Sequence, residues 1–286
     1  MITATIDGLS FSDDPSAPMS IGPDGLQGWH SGAPIKTRTF ERANSDGVFG
    51  ITKFFRAARV ITLSGLYTAK DVDEATAVAQ WQKLAGILAD GIPGDLTVTD
   101  PAGTFTSEVM LFDAGTTIEP LVFGMAEYVI TFLAFDPVKY SAWRGQSTGL
   151  ATAGGGLVYP LHSPSGALNY GANGDLGRVT VTNAGTAEVW PRFTVTGELT
   201  NGFFIQCLET GEVVRYDRIV PAGTILSLDS RTGAVLVDGV SDGSTYLTRD
   251  DWFSIPAGQT RTIQFNAIGG QVGNPQLTVW DADGMR

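Results

Sequence analysis

The sequence predicts a mainly β protein with one helix, built as two β domains, and three observations carry that reading. Glycine and proline are dense, 36 and 14 of 286 residues, which leaves little room for long helices and suits short strands joined by tight turns. Only one segment holds a helical period over several turns. The length suggests two domains at roughly 100–200 residues each, although one large β domain also reaches this size. A glycine-rich middle stretch divides the chain into a first domain at 1–146, a linker with an edge strand at 147–177, and a second domain at 178–286.

The first domain opens on the alternation Ile2, Ala4, Ile6, which reads as a strand. A loop rich in Ser, Asp, Pro and Gly follows from Ser10 to Pro34. Compact domains rarely hold a loop beyond ~12–15 residues, so it is expected to order against a neighbouring subunit or another protein. Ile35–Phe40 and Ile51–Tyr67 read as strands, with Asn44-Ser45-Asp46-Gly47 as the turn between them. The helix is expected from about 70 to 90. Val78, Trp81, Ala85 and Leu88 share one face, Thr68 with Asp71 resembles an N-terminal cap, and Gly91 before Pro93 is a stop signal. Leu96–Thr99, the turn Asp100–Gly103, and Phe105–Phe112 read as a hairpin. Glu127–Phe135 is apolar enough for a central strand, and Asp136-Pro137 ends it.

Between Ser147 and Gly177 lie eight glycines and one charge, Asp175, a composition that suits a linker. Leu157–Leu161 within it reads as an edge strand. Beyond it come nine strand candidates: Arg178–Asn183, Val189–Gly197, Phe203–Leu208, Glu212–Asp217, Ile225–Asp229, Ala234–Asp238, Trp252–Ile255, Arg261–Ala267 and Gln276–Trp280. Turns at Asp229–Gly233 and Pro256–Gly258 separate some of them. Short strands at this spacing predict a sandwich.

With 43% hydrophobic and 17% charged residues, the chain can bury a core. The longest run free of charge and turn-formers, Tyr128–Phe135, is far short of the roughly 18 residues of a spanning helix, so no membrane insertion is expected. The start Met1–Asp7 lacks a basic segment followed by an apolar one, so a cytosolically made, soluble protein is expected. The net charge is −12, which disfavours a general nucleic-acid binder. Residues 1–143 carry 9 basic and 17 acidic side chains. Against that surplus, Lys36, Arg38, Arg42, Lys53, Arg56 and Arg59 cluster together, opposed only by Glu41 and Asp46. The cluster reads either as a subunit interface or as the solvent face of two strands.

Signals for chemistry are few. The single Cys207 excludes an internal disulfide framework and reads as a small buried hydrophobe. His30 and His162 sit in Gly/Pro/Ser-rich stretches with no partner pattern for a metal or a general base. Gly154-Gly155-Gly156 has no phosphate-loop ending, and Asp281-Ala282-Asp283-Gly284 reads as a C-terminal turn rather than a calcium loop. No catalytic residue, cofactor or metal ligand is assigned, and the chain is not expected to be an enzyme. Two rival readings remain. A glycan-binding sandwich would use exposed aromatics, with Trp252 and Trp280 as contacts and Trp190 and Tyr246 as further candidates. A glycoside hydrolase would need a carboxylate pair from among residues such as Glu198, Glu209 and Glu212.

In order along the chain, three stretches resemble the distal tail (minor tail) proteins of long-tailed siphophages. They are Arg59-Val60-Ile61-Thr62-Leu63-Ser64-Gly65 running into the helix, Tyr128–Phe135 followed by Asp136-Pro137-Val138-Lys139-Tyr140-Ser141, and Gly156-Leu157-Val158-Tyr159-Pro160 followed by Val181–Ala187 and Trp190-Pro191-Arg192-Phe193. The resemblance implies a tail-tube-like β-sheet or barrel domain with one helix and a galectin-like antiparallel sandwich. It implies a structural virion protein at the tail tip or baseplate: a hexameric ring, single or stacked, that joins the tail tube protein to tail hub or tail-tip proteins. Side-fibre or receptor-binding proteins would attach at its periphery, and DNA would pass through the channel without specific binding. Ring contacts are heterologous, so the basic 36–59 stretch against an acidic domain offers one complementary pair of faces.

Overall fold

The computed structural model describes residues 1–36, 40–50, 54–68, 73–152, 174–269 and 273–286. The chain forms two compact units, Met1–Ala142 with Met285–Arg286, and Trp143–Gly284.

The first unit contains β1 (Thr3–Ile6), β2 (Leu9–Ser12), β3 (Met19–Gln27), β4 (Ile35–Lys36), β5 (Phe55–Arg56), β6 (Arg59–Tyr67), α1 (Glu74–Ala85), β7 (Gly94–Asp100), β8 (Gly103–Pro120), β9 (Ala126–Ala134) and β10 (Lys139–Tyr140). The order β8-β7-β1-β2-β3-β6-β9 closes on itself because β9 also pairs with β8. The result is a seven-stranded barrel without free edges among these strands. Alternate residues point inward: Ala4 and Ile6, Ile61 and Leu63, Leu96 and Val98, and Tyr128, Ile130 and Phe132 are all buried.

Closure depends on β8 serving two neighbours in turn. Gly103–Val109 pair with β7, and Met110–Pro120 pair with β9, with a register break between Leu111 and Thr116. Asp113 and Gly115 there take φ of 55° and 64°, the local bend that a bulge puts into a strand at a barrel corner.

The expected loop Ser10–Pro34 is instead largely strand. β2 and β3 fall inside it, and β3 pairs with β6 from Met19↔Tyr67 to Gln27↔Thr62. Turn-forming Gly22, Pro23 and Gly25 sit where that ladder slips between Ile21 and Leu26, so their chemistry serves a bulge inside a strand.

The helix is shorter than expected, and its cap and face differ. Asp73 is the N-cap, its carboxylate accepting from the Thr76 amide at 3.1 Å. The last turn closes at Gly86, before the Gly91-Pro93 stop. Ala77 and Leu84 are buried with Trp81 packed beside them, whereas Val78 is exposed. The face is therefore turned by one residue from the expected Val78-Trp81-Ala85 line. Lys70–Val72, the start of the expected span, lie outside the described residues.

Gly65 joins three strands. It stands opposite both Ile21 of β3 and Tyr128 of β9. The Tyr128 hydroxyl reaches past it to donate to the Ser20 carbonyl at 2.9 Å. A Cβ at position 65 would lie 1.9 Å from the Ser20 carbonyl oxygen and 2.6 Å from the phenol oxygen. Only glycine leaves that path open. Burial pushes the Tyr128 phenol well above its ordinary titration range.

The second unit contains β11 (Arg144–Thr148), β12 (Arg178–Asn183), β13 (Arg192–Thr196), β14 (Phe203–Cys207), β15 (Val213–Tyr216), β16 (Ile225–Asp229), β17 (Ala234–Val237), β18 (Ser241–Asp242), β19 (Leu247–Asp250), β20 (Gln259–Ala267) and β21 (Gln276–Asp281). They form a six-stranded sheet, β11-β21-β13-β16-β17-β18, and a five-stranded sheet, β12-β20-β14-β15-β19. Phe193, Val195, Leu226 and Val279 of one share a core with Phe203, Ile205, Ile263 and Phe265 of the other. This is the expected antiparallel sandwich.

Two details differ from expectation. Trp252–Ile255 joins no ladder beyond a single bridge from Ile255 to Val189, and the strand beside β15 is the more polar Leu247–Asp250. The expected linker begins inside this unit, since Ser147 and Thr148 belong to β11. Thr152 and Asp175 then face each other. The Thr152 amide donates to the Asp175 carbonyl at 2.8 Å, and the Asp175 amide donates to the Thr152 hydroxyl at 2.9 Å. The intervening 153–173, with Gly154–Gly156, the expected strand Leu157–Leu161 and His162, lie outside the described residues.

The C-terminal acidic turn has a structural use. Asp281 and Asp283 both accept from Arg144, at 2.6 Å and 2.9 Å. Buried Asn183 donates to the Ala187 and Ile255 carbonyls and accepts from the Gly185 amide.

Gly65→Ala is expected to destabilise the chain by about 3 kcal/mol, as overpacking against fixed backbone does. Tyr128→Phe is expected to cost only about 1 kcal/mol, the worth of one hydrogen bond. Urea denaturation of both variants checks the ranking; equal losses would mean that Gly65 does not act by clearing the phenol's path.

Candidate functional site

The basic cluster that stands out in the sequence falls on an arm extending from the barrel wall. Ile35 pairs with Arg56 and Lys36 with Phe55 at its root. Further out, Glu41 bridges Val48, the Arg42 amide donates to Gly47 at 3.1 Å, and the Phe49 amide donates to Phe40 at 3.0 Å. Asn44–Gly47 form the tip, as the sequence predicts.

The arm's described outer residues, 40–50 with Phe54 and Phe55, are all exposed. Among them Phe40 is 60%, Phe49 61% and Phe55 66% exposed, with Ile35, Val48 and Phe54 also open to solvent. Apolar surface concentrated on one projecting element marks an association surface rather than ordinary scatter. The sequence reading found the cations here and missed the aromatics between them. Their signal was alternation without burial, which sequence alone does not distinguish from a half-buried strand.

The six cations divide into different roles. Lys36 and Arg42 are exposed on the arm, with the Arg42 guanidinium 5.8 Å from the Phe49 ring centroid. Arg38 and Lys53 lie outside the described residues. Arg56 turns back to donate to the Ala33 carbonyl at 2.6 Å. Arg59 does not belong to the surface at all: it is 1% exposed. Its guanidinium donates to the carbonyls of Gly28 (2.7 Å), Trp29 (3.1 Å), Ser31 and Pro137 (2.9 Å). Its interior position follows from the inward phase it shares with Ile61 and Leu63. Burial, and then neighbouring Arg56, lowers its pKa from the ordinary value.

Beside it, Lys139 donates to the Trp29 carbonyl at 2.8 Å and sits 5.0 Å from the Trp29 ring centroid. Burial, with Arg59 adding repulsion and Asp100 opposing it, pushes the Lys139 amine down to about 8. His30 lies 3.8 Å from Asp100, an acidic neighbour that sequence spacing did not reveal.

In the second unit the two tryptophans named as glycan contacts separate. Trp280 is exposed on the six-stranded sheet. Trp252 packs against the sandwich core, and its indole nitrogen would stand 3.2 Å from a Cβ at Gly233. Cys207 is buried, as expected. Glu209 accepts from the Thr262 amide at 2.9 Å, and Glu212 accepts from the Thr210 hydroxyl at 2.7 Å. Both carboxylates thus serve local structure. Among the described residues no His, Cys, Asp or Glu cluster could hold a metal ion, and no helix is long and apolar enough to cross a membrane.

The first unit is thus a closed barrel with a projecting apolar-basic arm, and the second unit is a sandwich. Residues 184–270 match the family model of the siphovirus-type tail component, C-terminal domain. That match covers less than half of the chain. Over nearly its whole length the chain shares its fold with solved phage proteins. One is SPP1 Dit (gp 19.1), described as a paradigm of the hub adsorption apparatus in phages infecting Gram-positive bacteria. It has a TM-score of 0.64 at 14% identity, covering 99% of each chain. Another is a chain of the phage P2 baseplate in its activated conformation with Ca, with a TM-score of 0.52 at 10% identity, covering 98% of each chain. No curated protein sequence matches significantly. Residues 184–270 are thus similar to the C-terminal domain of a siphovirus-type tail component, and the whole chain has the fold of SPP1 Dit.

The lowered Lys139 pKa sets a pH signature for the first unit. Between about pH 8 and pH 10 the unfolded chain keeps a proton that the folded barrel has released, so stability rises with pH across that window. Denaturant midpoints at about pH 7.5 and pH 9.5 check this; Lys139→Met is expected to remove the rise.

Proposed function

We propose that the chain forms a hexameric ring through its first unit, single or stacked, and joins the tail tube to the hub of the tail tip or baseplate. The observation that carries this is the arm whose described outer residues, 40–50 with Phe54 and Phe55, stand open to solvent. Among the described residues, the barrel closed through β8 and β9 leaves only a short edge, starting with β10 beside β8, so association favours a projecting element.

The occupant that fits is the acidic barrel of a neighbouring copy. Residues 1–143 have 9 basic against 17 acidic side chains, and Lys36 and Arg42 stand exposed on the arm. An arm reaching from each copy to the next is a heterologous contact, which closes into a ring when the rotation allows. The same acidic surplus suits a channel that carries DNA without holding it, since like charge repels phosphate. The likeness to a hub protein and to a baseplate chain supports this position in the tail. Side-fibre or receptor-binding proteins would then attach at the ring's periphery.

Light scattering and negative-stain imaging of the purified chain test the reading. The expected particle is a ring of six 30.2 kDa subunits, or two such rings, with a central opening. Phe49→Asp combined with Phe54→Asp is expected to give a folded monomer. A variant that still forms rings would remove the arm from the interface.

A further inference from the structure

The outer face of the six-stranded sheet carries a second arrangement that the ring does not use. Phe193, Leu228 and Val279 turn into the core, so the residues next to them stand on the opposite face. The ladders place those residues in two rows. Gly145, Trp280, Arg192, Asp229 and Ala234 lie opposite one another across β11, β21, β13, β16 and β17. The next row is Ser147, Thr278, Thr194, Ser227 and Leu236. One row thus supplies an aromatic ring and an ion pair, and the other a run of hydroxyls.

The indole of Trp280 is pinned at both ends. Its nitrogen donates to the Thr194 hydroxyl at 3.1 Å. Its benzene edge covers Gly145, where a Cβ would stand 2.9 Å from the ring. The ring therefore lies along the sheet with a face open to solvent, 39% exposed. Beside it Arg192 is held 3.5 Å from Asp229 and 4.5 Å over the Trp143 ring. Ser147 and Thr278 share a hydrogen bond at 2.8 Å. Most of these groups line one cleft of about 490 Å³, within the size range of small-ligand sites.

We infer that this cleft binds a neutral saccharide, with Trp280 as the stacking platform and Arg192, Asp229, Thr194 and Ser227 as hydroxyl partners. A pyranose presents an apolar C–H face and a rim of hydroxyls. The first matches an immobilised indole, and the second matches an arginine–aspartate pair that can donate and accept at once. A ring fixed before binding loses little entropy on binding. Arg192 is already neutralised by Asp229 and the chain is net −12, so an anionic ligand is disfavoured. The alternating hydroxyls and ion pair equally disfavour a lipid chain.

The test uses the full chain with soluble tetrasaccharides of glucose, galactose, N-acetylglucosamine and rhamnose, read by calorimetry and tryptophan fluorescence. At least one is expected to bind saturably in the millimolar range or tighter. Binding should weaken at least tenfold in Trp280→Ala and in Gly145→Val, which keeps the tryptophan but lifts its ring. Trp252→Phe, away from the cleft, should bind as the parent does. Absence of saturable binding across the panel, or binding that survives Trp280→Ala, overturns the inference. Particle mass is expected to stay unchanged in all three variants, so failure here and failure of the ring are read separately.

Discussion

The first unit hangs on one buried cation. Arg59 is surrounded by carbonyl oxygens from the turn after β3 and from Pro137, with no carboxylate among its hydrogen-bond acceptors. Taking a guanidinium out of water is costly, and what offsets the cost is a set of donors filled in fixed geometry. Lys139 shares the Trp29 carbonyl, so two positive charges converge on one short stretch of backbone. That stretch leads directly into the arm, whose root Arg56 ties down through Ala33. Internal electrostatics thus hold an element whose outer residues point into solvent.

The two units solve the problem of strand edges differently. In the first, β8 bends and pairs with both neighbours, so the wall of the barrel closes. In the second, the sheets stay open, and three of their four ends are the short polar strands β11, β18 and β19, with β12 at the fourth; such polar ends are poor templates for unwanted pairing. On the proposed readings, association in the first unit falls to the arm and recognition in the second to a sheet face.

The sandwich strands were the most legible part of the chain. Val179 and Val181, or Phe203 and Ile205, alternate with polar residues and bury as that alternation dictates. The strands that escaped reading share a cause. β11 and β19 are polar along most of their length, and β3 carries Gly22, Pro23 and Gly25, whose turn chemistry is indistinguishable from that of a bulge. The helix face was misjudged because Val78 outranks Ala77 in hydrophobicity, while the barrel has room only for the smaller residue. At the arm, charge was visible but direction was not. Nothing in the spacing of Arg56 and Arg59 says that one folds back on the arm's root and the other enters the core. Trp280 was visible as an aromatic, yet its support from Gly145 exists only across strands 135 positions apart in sequence.

Thr152 and Asp175 hold the backbone together on either side of residues 153–173. Such a junction is an acceptor for foreign sequence: a fluorescent protein or a binding domain spliced between these two residues would inherit both ends already brought together. The register of both sheets on either side would stay as it is.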